Sequence, residues 1–238
     1  MKSTVAFTGF PRETIRFYRE LKKNNSKLWL EQHRDDYEAY VMAPARAFVR
    51  EMGDRLASVA PGIIADPRVN HSIFKIHRDT RFSNDKTPLK EHLALWFWEG
   101  TRPRMECSGF YFHLEPSGIM LGTGVYMFPK DMFPEYRDSV VHPKHGAVLA
   151  KAVKQVTGKG YYVGGEYYKK VPRGYDPEHA NAEYLRYGGF YAGIDEKPPA
   201  ELASEKLLDF CLKRYRDMLP IHRWLADMVE RSVKNRAH

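Results

Sequence analysis

The chain has 238 residues, 43% hydrophobic and 29% charged, which is typical of folded globular domains and excludes a disordered or fibrous chain. No run approaches the roughly 20 apolar residues of a membrane-spanning helix, and two cysteines, Cys107 and Cys211, exclude a disulfide-rich scaffold. The formal net charge of +8 favours anionic partners without identifying one. With no apolar signal segment at the N-terminus, we expect a soluble cytoplasmic protein, one domain over residues 1–238, and neither cofactor nor metal.

The first sixty residues predict three helices. Pro11 suits the first turn of one helix, Ser26 is typical of the N-cap of a second, and Pro44 opens a third. Apolar and aromatic residues recur at helical spacing in all three: Ile15, Tyr18 and Leu21; Leu30, His33, Tyr37 and Tyr40; and Phe48, Met52, Leu56 and Val59.

The middle of the chain predicts strands. Residues 69–77 alternate between apolar and polar side chains, and residues 93–98 form a short apolar and aromatic run. Residues 109–115 and 119–128 flank the turn Pro116-Ser117-Gly118, so we expect a β-hairpin there.

The last third predicts helices again, with two more strands between them. The helices are expected at residues 131–140 and 144–157, and the strands at residues 161–171 and 189–194. The pair Asp176-Pro177 begins a helix between those strands, and a long helix from Ser204 is expected to kink or break at Pro220. This order predicts an α+β fold: an antiparallel sheet with helices packed on it, an N-terminal helical segment and a long C-terminal helix.

A polar segment between two predicted strands is the main candidate site. We predict that it binds a small anion through these side chains: His77, Arg78, Asp79, Arg81, Asp85, Lys86 and Lys90. Guanidinium forks suit phosphate or carboxylate, lysines add point charges, and the aspartates would orient the arginines. From Lys75 to Lys90, five cations stand against two carboxylates, a formal charge of +3.

Two other interpretations of this segment stay open. The same residues would form a self-satisfied ion-pair network that fixes a strand crossover. In an enzyme, Asp79, Asp85 or His77 would transfer the proton, because the sequence has no nucleophile elbow and no metal motif. No catalytic residue is assigned on these grounds.

A second cluster surrounds the predicted start of a helix at Asp176. Arg173 and His179 flank that helix N-terminus, which is a natural place for an anion. The cluster gains weight if folding brings it beside Arg81.

Two alternatives use aromatic residues. A nucleic-acid-binding module would combine the dispersed basic charge with exposed tyrosines, as in Tyr167-Tyr168-Lys169-Lys170. A protein-interaction domain would expose an apolar patch at Trp96, Phe97 and Trp98. The sequence contains no recognised nucleic-acid-binding signature.

Several motifs along nearly the whole chain resemble one known family. They are Phe7-Thr8-Gly9-Phe10, Asn24-Asn25, Trp29, residues 78–90, residues 109–114, Gly124-Val125-Tyr126 and Pro172-Arg173-Gly174-Tyr175. Together they resemble the family called domain of unknown function 2461, although Leu89 stands where many members are expected to carry an aromatic residue. The resemblance implies a single intracellular α+β domain, and it supplies no activity and no catalytic residues.

Overall fold

The computed structural model describes residues 6–81 and 84–234 of the chain. The α-helices are α1 (Arg12–Lys23), α2 (Lys27–Gln32), α3 (Arg34–Tyr37), α4 (Ala43–Ala57), α5 (Phe133–Val141), α6 (Pro143–Thr157) and α7 (Leu207–Lys234). The strands are β1 (Ile63–Ile64), β2 (Leu93–Glu99), β3 (Ser108–Glu115), β4 (Gly118–Val125), β5 (Tyr162–Glu166) and β6 (Tyr187–Glu196). None of the helices in the described ranges is long and apolar enough to cross a membrane.

The strands form a six-stranded antiparallel sheet in the order β1-β2-β3-β4-β6-β5. The predicted α+β class, with an N-terminal helical segment and a long C-terminal helix, is therefore confirmed.

The chain divides into two compact units. Unit 1 comprises the described residues within Met1–Phe97, Tyr111–Leu121 and Asp195–Lys213, and unit 2 comprises those within Trp98–Phe110, Gly122–Ile194 and Arg214–His238. The single domain over residues 1–238 stays a prediction.

The predicted helix starts agree with the structure where a local cap decides them. Pro11 is the N-cap of α1, and the Ser26 hydroxyl accepts a hydrogen bond from the backbone N–H of Trp29 at 3.2 Å. Pro44 lies in the first turn of α4, but a π-helical turn at Glu38–Met42 leads directly into that helix. Pro44 is tolerated there without starting a separate helix.

Aromatic residues form the core of unit 1. Phe10 stacks on Phe112 with ring centroids 5.7 Å apart, and Phe48 lies 4.8 Å from Phe112. Gly9, the residue before Phe10, lets the chain pass close to the backbone of Ala203, because its φ is +108° and a Cβ would lie 2.2 Å from the carbonyl carbon of Ala203. All three phenylalanines are at most 1% exposed, and burying each contributes about 1.5–3 kcal/mol.

A buried polar network supports unit 2. The Ser108 hydroxyl lies 3.0 Å from His222 Nδ1, and His222 Nε2 lies 2.8 Å from a carboxylate oxygen of Glu99. A serine, a histidine and a glutamate also make up hydrolase triads. Ser108 and His222 are fully buried, so substrate does not reach this serine and the network is structural.

The predicted strand at residues 69–77 is wrong. Asn70 has a φ of +66°, which interrupts the extended backbone, and the segment forms only isolated pairs such as Ile73 with Leu95. Its backbone still bonds to β2, because the N–H of Phe74 donates to the carbonyl of Ala94 at 3.1 Å. The segment is therefore hydrogen-bonded to β2 without forming a regular strand.

The predicted helix beginning at Asp176 is also wrong. The Asp176 carboxylate accepts from the N–H of Glu178 at 2.9 Å and forms a local turn. Asn181 then donates to the carbonyls of Val140 and Gly146 at 3.0 Å each, which ties the segment to α5 and α6. Helical geometry is limited to a 3-10 stretch at Ala182–Arg186.

Three further expectations need correction. The strands predicted at residues 161–171 and 119–128 are shorter than expected, since β5 ends at Glu166 and β4 ends at Val125. Pro220 lies inside α7 without breaking it. The residues of the predicted apolar patch, Trp96, Phe97 and Trp98, are at most 8% exposed, so they belong to the core and offer no interaction surface.

Candidate functional site

We use the name basic segment for residues 77–81 and 84–90 in unit 1; Phe82 and Ser83 lie outside the described residues. The backbone closes the base of this segment like a hairpin. The N–H of Arg78 donates to the carbonyl of Pro88 at 2.9 Å, and the N–H of Lys90 donates to the carbonyl of Ile76 at 2.8 Å. The charged side chains between these points are therefore held on a closed loop.

One side chain from outside the segment fixes its end. The Asn25 amide donates to the Leu89 carbonyl at 3.1 Å and accepts from the Leu89 N–H at 3.1 Å. It also donates to a Glu91 carboxylate oxygen at 3.0 Å. Asn25 thus pairs with the backbone as a neighbouring strand would.

The aspartates and arginines of the segment pair with each other. Asp79 binds the Arg81 guanidinium through two nitrogens at 3.0 and 2.8 Å. Asp85 lies 2.6 Å from Arg78 and also accepts from the hydroxyl of Thr87 at 2.7 Å. Each carboxylate therefore has the geometry of a group that orients an arginine.

Hydrogen bonds make both aspartates weak bases. Hydrogen bonds from the Arg81 side chain lower the pKa of Asp79 to about 2, and hydrogen bonds from Thr87 lower the pKa of Asp85. Carboxylates that hold their charge this firmly are poorly suited to accept a proton near neutral pH.

The two arginines differ in their surroundings. The Arg81 side chain is 76% exposed, whereas that of Arg78 is 30% exposed. The Nε of Arg78 is buried and has no hydrogen-bond partner among the described residues. Lys86 donates to the carbonyl of Thr80 at 2.9 Å, and the Lys90 ammonium lies 5.2 Å from the Phe74 ring centre.

A cluster that sequence reasoning missed lies in the same unit. The His113 ring stacks on His92 with centroids 4.2 Å apart. Its Nδ1 lies 3.2 Å from the Tyr111 hydroxyl, and its Nε2 lies 3.5 Å from Glu115. We call these four residues the histidine cluster.

The alternation of β3 contains the signal for this cluster. Phe110, Phe112 and Leu114 are fully buried, so the residues between them share the opposite face. Three polar side chains at every second position, Tyr111, His113 and Glu115, predict a polar row there.

The pKa of His92 is lowered to about 4, and burial is the largest cause. The neighbouring His113, Lys90 and Arg78 act in the same direction, and Glu115 acts in the opposite direction. Burial also lowers the pKa of His113. Both rings are therefore neutral at pH 7. Since both cations act on His92, Arg78 and Lys90 belong to its electrostatic surroundings.

His113 and Glu115 also line a cavity of about 470 Å³. Its other lining side chains include Asp195, Glu196 and Lys197. Three carboxylates against one lysine do not suit an anion. The cations lie around His92 instead.

The match to a family model covers this whole site. The model of a family described as conserved hypothetical protein (DUF2461) matches residues 13–224. The chain belongs to the DUF2461 family. The resemblance seen in the motifs is therefore confirmed, and the basic segment and the histidine cluster both lie within the DUF2461 match. No curated protein matches the sequence.

The second predicted cluster of this DUF2461 protein lies in unit 2. His179 Nδ1 accepts from the backbone N–H of Asn181 at 3.1 Å, and Arg173 is exposed. Because the expected helix at Asp176 is absent, Arg173 and His179 do not flank a helix N-terminus. A position beside Arg81 stays a prediction. Across the described residues, no group of three histidine, cysteine or acidic side chains has the arrangement of a metal site.

Proposed function

We propose that this DUF2461 protein binds a small phosphate- or carboxylate-bearing ligand at the basic segment, with Arg78 as the principal donor and Lys90 and His92 beside it. The observation that carries the proposal is Arg78 itself. It is half-buried, Asp85 holds its guanidinium at one end, and its buried Nε has no hydrogen-bond partner among the described residues.

The chemistry of a guanidinium explains why Arg78 points to an anion. A guanidinium has five N–H donors, and the Asp85 contact at 2.6 Å involves one of its terminal nitrogens. Leaving a buried donor unsatisfied costs about 1–3 kcal/mol. A carboxylate or phosphate oxygen recovers that cost, and it matches the planar fork better than a neutral acceptor does.

The charge balance supports the same class of ligand. Five cations and two carboxylates from Lys75 to Lys90 give a formal +3, and both carboxylates already orient arginines. His92 is neutral at pH 7 and adds hydrogen-bonding nitrogens without adding charge. An incoming anion therefore meets an excess of positive charge.

A thermal-shift series at constant ionic strength tests the proposal. Phosphate, sulfate and a dicarboxylate are compared with chloride for wild type and for Arg78→Met. At a ligand concentration of 100 Kd, binding stabilises by about 2.7 kcal/mol, which raises Tm by about 5–10 °C for a chain of this size. We expect this rise in wild type and its loss in Arg78→Met.

Arg68→Met is the matched control. Arg68 is also an arginine of unit 1 paired with an aspartate, Asp66, and its side chain is 71% exposed. The control removes the same charge, so its response must equal that of wild type. An equal rise in Arg78→Met, or no rise with any anion in wild type, contradicts the proposal.

We also propose single-stranded nucleic acid as a second candidate ligand, through unit 2. The observation that favours it is the exposure of aromatic side chains there: Tyr126 is 70% exposed and Tyr167 is 74% exposed. Large exposed rings on a basic protein are typical of surfaces that stack bases.

We also propose that the protein is located in the cytoplasm. Cys107 and Cys211 are both buried, and no disulfide joins them. Cysteines kept as thiols agree with a reducing compartment.

A further inference from the structure

Tyrosines and glycines face each other across the two last strands of the sheet in unit 2. In the antiparallel register, Tyr162 of β5 pairs with Gly193 of β6, and Gly164 of β5 pairs with Tyr191 of β6. Directly opposed residues and residues two apart lie on one face. One face of this strand pair therefore carries two tyrosines and two glycines in alternation.

Each of these tyrosine rings lies across the glycine opposite to it. A Cβ on Gly164 would lie 2.6 Å from Cε2 of Tyr191, and a Cβ on Gly193 would lie 2.6 Å from the hydroxyl of Tyr162 and 2.7 Å from its Cζ. Because any larger residue would displace the rings, the glycines let both rings lie against the backbone.

A third ring extends this surface. Tyr126, directly after β4, stacks on Tyr191 with centroids 5.7 Å apart and an interplanar angle of 27°. Tyr126 is 70% exposed and Tyr162 is 41% exposed. We call Tyr126, Tyr162 and Tyr191 the tyrosine platform.

The covered side of these rings decides what the platform offers to solvent. Glycine backbone lies against the rings of Tyr162 and Tyr191, and the Tyr126 ring stacks on Tyr191, so the exposed aromatic area of the platform belongs mainly to Tyr126 and Tyr162. An open aromatic face is the group on which an unpaired base stacks. Bases inside a duplex have their own faces covered by neighbouring pairs, so a duplex cannot stack in this way.

Basic residues follow the platform in sequence. Residues 167–175 contain Lys169, Lys170 and Arg173 and no carboxylate. The carboxylate of Glu166, at the end of β5, lies 3.1 Å from Arg186 and is balanced by it. All three cations are exposed. This charge complements a phosphate backbone.

We infer that the tyrosine platform of unit 2 binds unpaired bases of single-stranded nucleic acid, while Lys169 and Lys170 contact the phosphate backbone. The inference rests on the second candidate function and specifies its residues. It is independent of the anion site at Arg78.

Fluorescence anisotropy with a labelled single strand of about twelve nucleotides tests the platform, with a duplex of the same length as comparison. Tyr126→Leu and Tyr162→Leu remove the rings, and Tyr126→Phe and Tyr162→Phe keep them. We expect tighter binding of the single strand than of the duplex. Each leucine variant weakens binding by about 5- to 150-fold, and each phenylalanine variant stays close to wild type.

The salt dependence tests the lysines. In the Lys169→Gln/Lys170→Gln double variant, the slope of log K against log salt falls by about 1.4, because each single-strand phosphate contact contributes about 0.7. Lys151→Gln/Lys154→Gln is the control: it removes the same charge from two exposed lysines of α6 and leaves the slope unchanged.

The outcomes separate the platform from the function on which it rests. If the leucine variants bind as wild type does, or the duplex binds as well as the single strand, the platform is overturned while nucleic-acid binding stands. If no oligonucleotide binds at low salt, both the tyrosine platform and the proposed nucleic-acid binding are ruled out. If Tyr162→Leu abolishes self-association without changing oligonucleotide binding, the face is an interface between copies of this chain, and the inference is again overturned.

Discussion

The Asn25 side chain is predicted to stabilise the whole basic segment. Replacing it with alanine removes both hydrogen bonds to the Leu89 backbone, at 3.1 Å each, and the bond to Glu91 at 3.0 Å. Leu89 is fully buried, so its N–H and carbonyl lose these partners where water does not easily replace them. At about 1–2 kcal/mol for each backbone group, Asn25→Ala lowers the free energy of unfolding by about 2–4 kcal/mol. The expected drop in Tm is about 4–16 °C.

Urea denaturation followed by tryptophan fluorescence measures this loss, and the neighbouring residue supplies the control. Asn24 is exposed and makes one side-chain hydrogen bond, to the Glu20 carbonyl at 3.0 Å. Asn24→Ala should cost about 0.5 kcal/mol. If the two alanine variants differ by less than about 0.5 kcal/mol, the basic segment is not anchored by Asn25 and the reasoning is refuted.

Three further predictions concern stability. Because the pKa of His92 is about 4 when folded and 6.5 unfolded, unfolding takes up a proton between these values. The free energy of unfolding therefore falls by about 1–2 kcal/mol as pH drops from 6.5 to 4, after allowance for solvent screening. His92→Gln should flatten that pH profile in urea denaturation, and an unchanged slope contradicts the assignment. His222→Leu should cost about 2–4 kcal/mol and Ser108→Ala about 1 kcal/mol by the same measurement, and equal costs would argue against the network. Gly9→Ala should lower Tm by more than about 5 °C, because its φ of +108° and the contact with Ala203 exclude a Cβ; a wild-type Tm would refute this.

Local signals predicted the elements whose ends depend on neighbouring residues. Pro11 and Ser26 cap helices through their own backbone and hydroxyl groups. Pro116 and Ser117 turn the chain between β3 and β4 as expected. Each of these signals acts within four residues, which is why the sequence alone contains it.

Long-range contacts and local backbone conformation decided the elements that were predicted wrongly. Asn181 is tied to carbonyls of Val140 and Gly146, so the chain after Asp176 follows α5 and α6 and does not form its own helix. At residues 69–77, the adjacent Ser72 and Ile73 are both buried, so burial does not alternate, and the left-handed φ of Asn70 interrupts the extended backbone. Neither constraint is visible in the local sequence.

The candidate site was predicted in part. The excess of cations identified the basic segment, and the spacing of Asp79 and Arg81 fits the pair that they form. The histidine cluster was missed because His92 and His113 are 21 positions apart in the chain and meet only when β2 and β3 lie side by side. The alternating polar row of β3 was the one local sign of it.

Imidazole NMR spectra recorded during a phosphate titration test the proposed anion site most directly. A phosphate held by Arg78 lies within the electrostatic surroundings of His92, so it should move the His92 ring signals and raise the pKa of that ring from about 4. Arg78→Met should abolish both effects, and Arg68→Met should keep them. Unmoved His92 signals, at a phosphate concentration that already raises Tm, would contradict the account.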